Sequence, residues 1–249
     1  MPDYTCLMKT PSALTSYYWH GDTIRSRSIS DIVLTEKVDI PATSLRLNTD
    51  WQRLITRHLG GGTGLEVGDV EALSLARARM RWSGYELCVQ AVSDWTDTLG
   101  LTDVISKSSV ALMACRGARY HHDAEQYGSA VFCNLFLSED KGLDVHFPQT
   151  GLRIPLVRGT VVIFDTGQPH AVIQRSSSGF NMVDFPRDQD FSQVFLTWEL
   201  PIENIQIERA LQITFDTESA AALLLDEEQI WLNGKRACVC PDSGKWLLA

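Results

Sequence analysis

The 249-residue sequence predicts a mixed α+β fold, mainly β, built on an eight-stranded antiparallel jelly roll. Three observations lead there. Between residues 108 and 200, short runs rich in Val, Ile, Leu and Phe follow one another at close intervals. Turn residues separate them, at Lys141-Gly142, Thr150-Gly151, Arg158-Gly159 and Ser178-Gly179. Helical periodicity is confined to the two flanks. The runs are too closely spaced for crossover helices, so alternating βαβ units are excluded.

In chain order, Asp31–Ile40 reads as a strand that ends at Pro41. Residues 49–59 read as a short helix, capped by Asn48 or Thr49 and stopped by Gly60. The GGGTG run at 60–64 lacks the lysine and hydroxyl residue of a phosphate-cradling loop and reads as a connector. From Asp69 to about Leu99 the pattern is helical, with a break near Ser83-Gly84. Tyr85, Cys88, Val92, Trp95 and Leu99 fall on one face, the spacing of a helix that braces a sheet.

Eight strands follow: SSVALMAC, ARYHH, SAVFCNLFL, LDVHF, LRIPLV, TVVIFD, HAVIQ and FSQVFLTWEL. Beyond Pro201, residues 203–213 and 217–229 read as helices, and IWLNGKRACVC reads as a hairpin turning at Asn233-Gly234. The expected organisation is a single domain over 1–249. Residues 1–107 support it, 108–200 form the core, and 201–249 are an extension packed on that core.

Composition narrows the function. Apolar residues make up 44% of the chain, enough for a sizeable core. The net charge of −9, with no run of Lys or Arg, argues against nucleic acid or an anionic membrane as partner. No stretch approaches the 18 or so apolar residues of a spanning helix, and the N-terminus lacks the basic start and apolar stretch of an export signal. A cytoplasmic protein with a small-molecule substrate is therefore expected. Cys6, Cys88, Cys115, Cys133, Cys238 and Cys240 then read as reduced thiols, and the C-x-C at 238–240 as structural.

The histidines divide. His20, His58 and His146 stand apart from other metal-type ligands and read as ordinary solvated or core histidines. In RYHHDAEQYG, however, His121 and Asp123 lie at i and i+2 of an extended segment and so share a face, while His122 points away. A third ligand comes at His170, which follows the apolar strand TVVIF and opens the next one. Glu125 shares the parity of Asp123, but the chain turns at Ala124–Gly128, which favours Asp123. Two imidazoles and one carboxylate on one side of an ion leave its other side open, the arrangement of non-haem Fe(II) oxygenases rather than of closed structural zinc.

Over residues 108–200 the order of these motifs resembles the 2-oxoglutarate- and Fe(II)-dependent dioxygenases, whose core is a double-stranded β-helix. The resemblance rests on His121-x-Asp123, the strand ending in Leu-Phe-Leu-Ser, and GLDVHFPQTGLRIPLVRGTVVIFDTGQPHAV. It implies a dioxygenase-like domain that takes Fe(II), 2-oxoglutarate and O2 and usually hydroxylates an unactivated C–H bond, releasing succinate and CO2. His121, Asp123 and His170 would hold the metal. It also implies a cation for the remote carboxylate of 2-oxoglutarate, ideally a bidentate arginine. Here the sequence departs from the family, because its last core strand contains no Lys or Arg. Arg175 is the first choice, Arg187 the second, and Arg119 or Arg153 remain as alternatives.

The favoured reading is thus a hydroxylase of a small polar metabolite such as an amino acid or a derivative. Two rivals stand beside it. One is a cupin-like metalloenzyme that does not use 2-oxoglutarate, disfavoured by Asp123 where cupins commonly carry a second histidine. The other is a jelly-roll binding module in which His121 and Asp123 merely hydrogen-bond.

Overall fold

The computed structural model describes residues 14–60, 65–186 and 188–249. Strands β1 (Leu14–His20) and β2 (Thr23–Ser28) form a tight hairpin around Gly21 and Asp22. Sequence reasoning missed both. Their polar, mixed residues carry little alternation, and the second partner of β1 lies at the other end of the chain.

Strand β3 (Val33–Lys37) falls where a strand was expected, and α1 (Leu45–Gly60) begins one turn before the predicted helix and ends at Gly60. Residues 61–64, which carry the rest of the expected glycine connector, lie outside the described residues.

The expected helix from Asp69 is corrected. Val70–Leu73 form a strand, β4, and only Leu75–Arg79 (α2) and Tyr85–Thr98 (α3) are helical. Pairing decides the matter: β4 covers the free edge of the next strand, with Val70 opposite Cys115 and Leu73 opposite Leu112. On α3, Tyr85, Cys88, Val92 and Trp95 are buried as expected, but Leu99 is the C-cap and is partly exposed.

The eight predicted core strands are β5 (Ser109–Arg116), β6 (Ala118–His121), β7 (Ala130–Phe136), β8 (Leu143–Phe147), β9 (Leu152–Pro155), β10 (Thr160–Asp165), β11 (His170–Gln174) and β12 (Ser192–Pro201). A single helical turn, α4 (Ala124–Tyr127), separates β6 from β7. All pairs are antiparallel and nested: β5 with β12, β6 with β11, β7 with β10 and β8 with β9. That nesting is the jelly roll.

The strands divide between a six-stranded sheet, β3-β10-β7-β12-β5-β4, and a four-stranded sheet, β6-β11-β8-β9. Gly117 makes the corner between β5 and β6. Its φ of +70° and the ring of Phe185 lying against it leave no place for a side chain.

Strand β7 shows why these runs look uniformly apolar. Val131, Cys133 and Leu135 pack outward against the helical layer, while Phe132 and Phe136 point between the two sheets. Both faces are buried, so alternation disappears from the sequence. Each phenylalanine buried between the sheets stabilises the barrel by about 1.5–3 kcal/mol.

The C-terminal region holds α5 (Ile205–Leu211), near the expected helix. The helix expected over 217–229 is reduced to one turn, α6 (Ser219–Ala222). Its end is taken over by strand β13 (Gln229–Leu232), which pairs with β1. Strands β14 (Lys235–Val239) and β15 (Trp246–Leu248) complete a five-stranded sheet, β15-β14-β13-β1-β2. Asn233 and Gly234 both have positive φ, the twist that joins β13 to β14 in the expected hairpin. Among the described residues no helix is long and apolar enough to cross a membrane, and no cysteine is in a disulfide: Cys88, Cys115 and Cys133 are buried, Cys238 and Cys240 are not. Cys6 lies outside the described residues.

Candidate metal centre

The last residue of β6 and the first of β11 are directly paired, so the antiparallel register sets His121 beside His170, with ring centroids 4.4 Å apart. Asp123 follows two residues later, where the backbone leaves the strand. Its amide N–H donates to the carbonyl of Thr166 at 2.7 Å, fastening it to the loop that leads into His170. One ligand atom from each of these three residues lies within 4.8 Å of the other two. His122 turns the other way and packs on Trp246 of β15, its ring centroid 5.3 Å distant.

Outer hydrogen bonds fix what the imidazoles present. The Nδ1–H of His121 donates to the carbonyl of Arg119 at 2.7 Å, and that of His170 to the carbonyl of Gln168 at 3.0 Å. A carbonyl only accepts, so each Nδ1 carries a proton, and in the neutral ring Nε2 offers a lone pair. Those lone pairs face Asp123: Nε2 of His121 lies 3.7 Å from Oδ1, and Nε2 of His170 lies 3.6 Å from Oδ2. Burial, reinforced by neighbouring His121, holds the His170 imidazole well below its ordinary pKa and so keeps it neutral. Burial pushes the Asp123 carboxyl upward, with His121 and His122 pulling against it. Three atoms of metal-ligating type therefore converge.

The surroundings hold this geometry. Phe164 packs edge-on against the His170 ring at 4.7 Å. Thr166 donates its hydroxyl to the carbonyls of Tyr127 and Ala130, tying the His170 loop to α4 and β7. Asp165, at the start of that loop, pairs with Arg27 of β2, and both side chains are fully buried. Glu125, the competing ligand, sits on α4, half exposed, outside the cluster.

Below the three ligands the space between the sheets is a cavity of about 230 Å³, walled largely by apolar side chains such as Phe132, Phe136, Val172 and Phe195. Asn134, Thr197 and Glu199 add polar atoms. Neither Asn134 nor Thr197 was singled out from sequence, although a polar residue inside VFCNLF and inside VFLTWEL was a usable signal. Among the described residues, no Lys or Arg lines this cavity.

The cosubstrate arginines come out differently from the sequence expectation. Arg175 does not line the cavity. Its Nε donates to Asp144 at 2.8 Å and its two terminal nitrogens donate to Asp140 at 3.0 Å, and the side chain is 40% exposed. Parity explains this: Arg175 stands an odd number of residues from His170, so it takes the outer side of a strand whose inner side carries His170 and Val172.

Arg187 lies outside the described residues. Arg153 is engaged outside the cavity by the carbonyls of Ser177 and Gln174. Arg119 lines an open cleft at the cavity mouth, beside Asp69, Glu71, His121 and Asp123. Of the histidines set aside, His146 shares a 2.6 Å hydrogen bond with the Tyr120 hydroxyl, and His20 pairs with Glu203 at 2.8 Å. The side chain of His58 lies outside the described ones.

No family model matches the chain, and no curated protein does. Solved structures do resemble it. The non-haem alpha-ketoglutarate-dependent epimerase SnoN from nogalamycin biosynthesis is 13% identical, with 68% of this chain and 78% of that one covered and a TM-score of 0.36. A prolyl-4-hydroxylase of Pseudomonas putida is 16% identical over 68% of this chain and 92% of that one, with a TM-score of 0.37. EvdO2 from Micromonospora carbonacea var. aurantiaca is 12% identical over 68% and 86%, with a TM-score of 0.40. At such identities the residues of this chain, not its neighbours, have to carry the chemistry.

Proposed function

We propose that the chain is a mononuclear non-haem iron oxygenase that takes a 2-oxo acid as cosubstrate, by resemblance 2-oxoglutarate, and hydroxylates a C–H bond of a small polar molecule such as an amino acid or a derivative. His121, Asp123 and His170 are its metal ligands. The observation that carries this reading is the convergence of two imidazole Nε2 atoms and a carboxylate on one point, with each imidazole held through Nδ1 by a backbone carbonyl. Such a group is electrostatically unfavourable until a cation joins it, and two imidazoles with one carboxylate suit Fe(II) while leaving one side open.

Iron and a 2-oxo acid, when bound, supply the activation of O2 and the oxidation of the C–H bond. The chain's own residues do the rest. The carbonyls of Arg119 and Gln168 hold the imidazoles in the ligating tautomer, and Phe164 excludes water from the inner side of His170. The apolar wall below them directs a bound molecule along the barrel. The donor set fits iron. The remote carboxylate of 2-oxoglutarate is not matched, because among the described residues the wall offers it no cation. That observation favours one second reading, a metalloenzyme on the same barrel that does without 2-oxoglutarate.

Anaerobic titration with Fe(II) separates the two. The expected result is a visible charge-transfer band that requires both Fe(II) and a 2-oxo acid and is lost in His121→Ala and His170→Ala. Substrate-dependent turnover of the 2-oxo acid should be lost in both variants as well. If neither 2-oxoglutarate nor any other 2-oxo acid gives the band, the oxygenase reading gives way to the second.

A further inference from the structure

The cavity beneath the metal ligands is not finished chemically. Asn134 on β7 and Thr197 on β12 are direct cross-strand partners and both face into it. Asn134 is 9% exposed and Thr197 8%, yet Asn134 Oδ1 and Thr197 Oγ1 have no hydrogen-bond partner. Their other cross-strand neighbours cannot supply one through a side chain: Val162 lies opposite Asn134 on β10, and Ala111 opposite Thr197 on β5. Buried polar atoms without partners are rare in native proteins, because each costs the hydrogen bonds it had in water. Two of them side by side, with apolar Val162 and Ala111 as their outer cross-strand neighbours, form a subsite for a polar group on a ligand.

The charge of that group follows from the same wall. Among the described residues there is no Lys or Arg on it, and its one carboxylate besides Asp123 is Glu199, two residues from Thr197 on the same face of β12. A ligand carboxylate at the Asn134–Thr197 pair would be taken out of water without a counter-ion and set near a like charge. An uncharged oxygen or nitrogen would instead meet two groups that both donate and accept, since an amide and a hydroxyl adapt to either role.

Resting on the oxygenase reading above, we infer that this cavity selects a 2-oxo acid whose far end is polar and uncharged over 2-oxoglutarate itself, with Asn134 and Thr197 as the specificity-determining pair and Glu199 as the group that rejects a second carboxylate. His121, Asp123 and His170 would hold the metal that takes the chelating end, and the neutral tail would reach down the barrel to the pair. The cavity supplies the directional contacts on which that discrimination depends, two hydrogen bonds and one repulsion.

The test is calorimetric titration of the Mn(II)-loaded protein, without O2 or turnover, with 2-oxoglutarate, its 5-methyl monoester, and 2-oxobutanoate, which lacks a polar tail. The monoester is expected to bind at least about tenfold more tightly than 2-oxoglutarate. Asn134→Leu and Thr197→Val should each weaken the monoester by about fivefold, the worth of one hydrogen bond, and leave 2-oxobutanoate unchanged. Glu199→Gln should raise the affinity for 2-oxoglutarate, and Thr197→Lys should reverse the preference in its favour.

Tighter binding of 2-oxoglutarate than of the monoester, lost in Arg119→Gln or Arg187→Gln, would overturn the inference and leave the oxygenase reading intact. Failure of all three acids to bind would overturn both. Circular dichroism and Mn(II) affinity of each variant distinguish a misfolded barrel from an altered subsite.

Discussion

Arg27 and Asp165, 138 residues apart in the chain, form a bidentate ion pair from which solvent is wholly excluded. Every side-chain nitrogen of Arg27 and both carboxylate oxygens of Asp165 are hydrogen-bonded. Arg27 also donates to the carbonyls of Gly128 and Ser28, and Asp165 accepts from the backbone amides of Ser30 and Gly167. The pair joins β2 to the loop that carries the Thr166 and Gln168 carbonyls, on which Asp123 and His170 depend.

Breaking such a pair from one side strands a buried charge. Arg27→Met is expected to lower stability by about 3–5 kcal/mol, whereas the double replacement Arg27→Met with Asp165→Leu should recover most of the loss. Urea unfolding midpoints of the two single variants and the double check this. Equal losses in singles and double would show that the contribution of the pair is not electrostatic. Metal affinity should fall along with stability in the single variants, because the loop beside His170 loses its anchor.

His122 provides a control inside the site's own motif. It is the immediate neighbour of His121, but its ring packs on Trp246, away from the cluster. His122→Phe should keep that packing and leave Mn(II) affinity unchanged. His121→Phe should lower the affinity by more than the roughly 10–100-fold that loss of an outer partner costs. A fall of similar size in both variants would contradict the strand parity on which the site is built.

Arg175 should prove structural. It bridges Asp140 and Asp144 on the outer side of the small sheet, so Arg175→Ala is expected to cost about 1 kcal/mol and to leave 2-oxo acid affinity untouched. The loss has a pH signature. Hydrogen bonds from Arg175, with one from the Gly142 amide, hold the Asp140 carboxyl below its ordinary value of 3.8. A carboxyl depressed on folding contributes stability above its unfolded value and loses it as pH falls through the folded one. The gap between wild type and variant should therefore stay level through neutral pH and close only below about pH 4. Chemical denaturation from pH 3 to 8 measures it.

The barrel was legible because most of its eight strands are short apolar runs bounded by turn residues, and because His121 and Asp123, two residues apart, keep to one side although β6 ends at His121. What was not legible depends on partners remote in sequence. β1 looks unremarkable until β13 arrives to pair with it. Val70–Leu73 is compatible with helical spacing and becomes a strand because the edge of β5 is free to accept it. Asp165 carries no mark of its role without Arg27. Arg175 is a case where the information was present: it follows the end of β11 at an odd number of residues from His170, which places it on the outer side. Asn134 and Thr197 are two more such cases, each a polar residue set inside an apolar run.

The nested pairing of the strands also governs how the protein must come into being. Its outermost core pair, β5 with β12, joins the two ends of the whole core segment, and the five-stranded sheet is closed when Tyr17 meets Gln229. Contacts between such distant parts of the chain have high contact order, which slows folding because loop closure must be met before the contacts form. During synthesis His121 and Asp123 emerge well before His170, and β1 waits with one edge open until Gln229 and the rest of β13 have been translated. The first strand among the described residues is thus among the last to be covered.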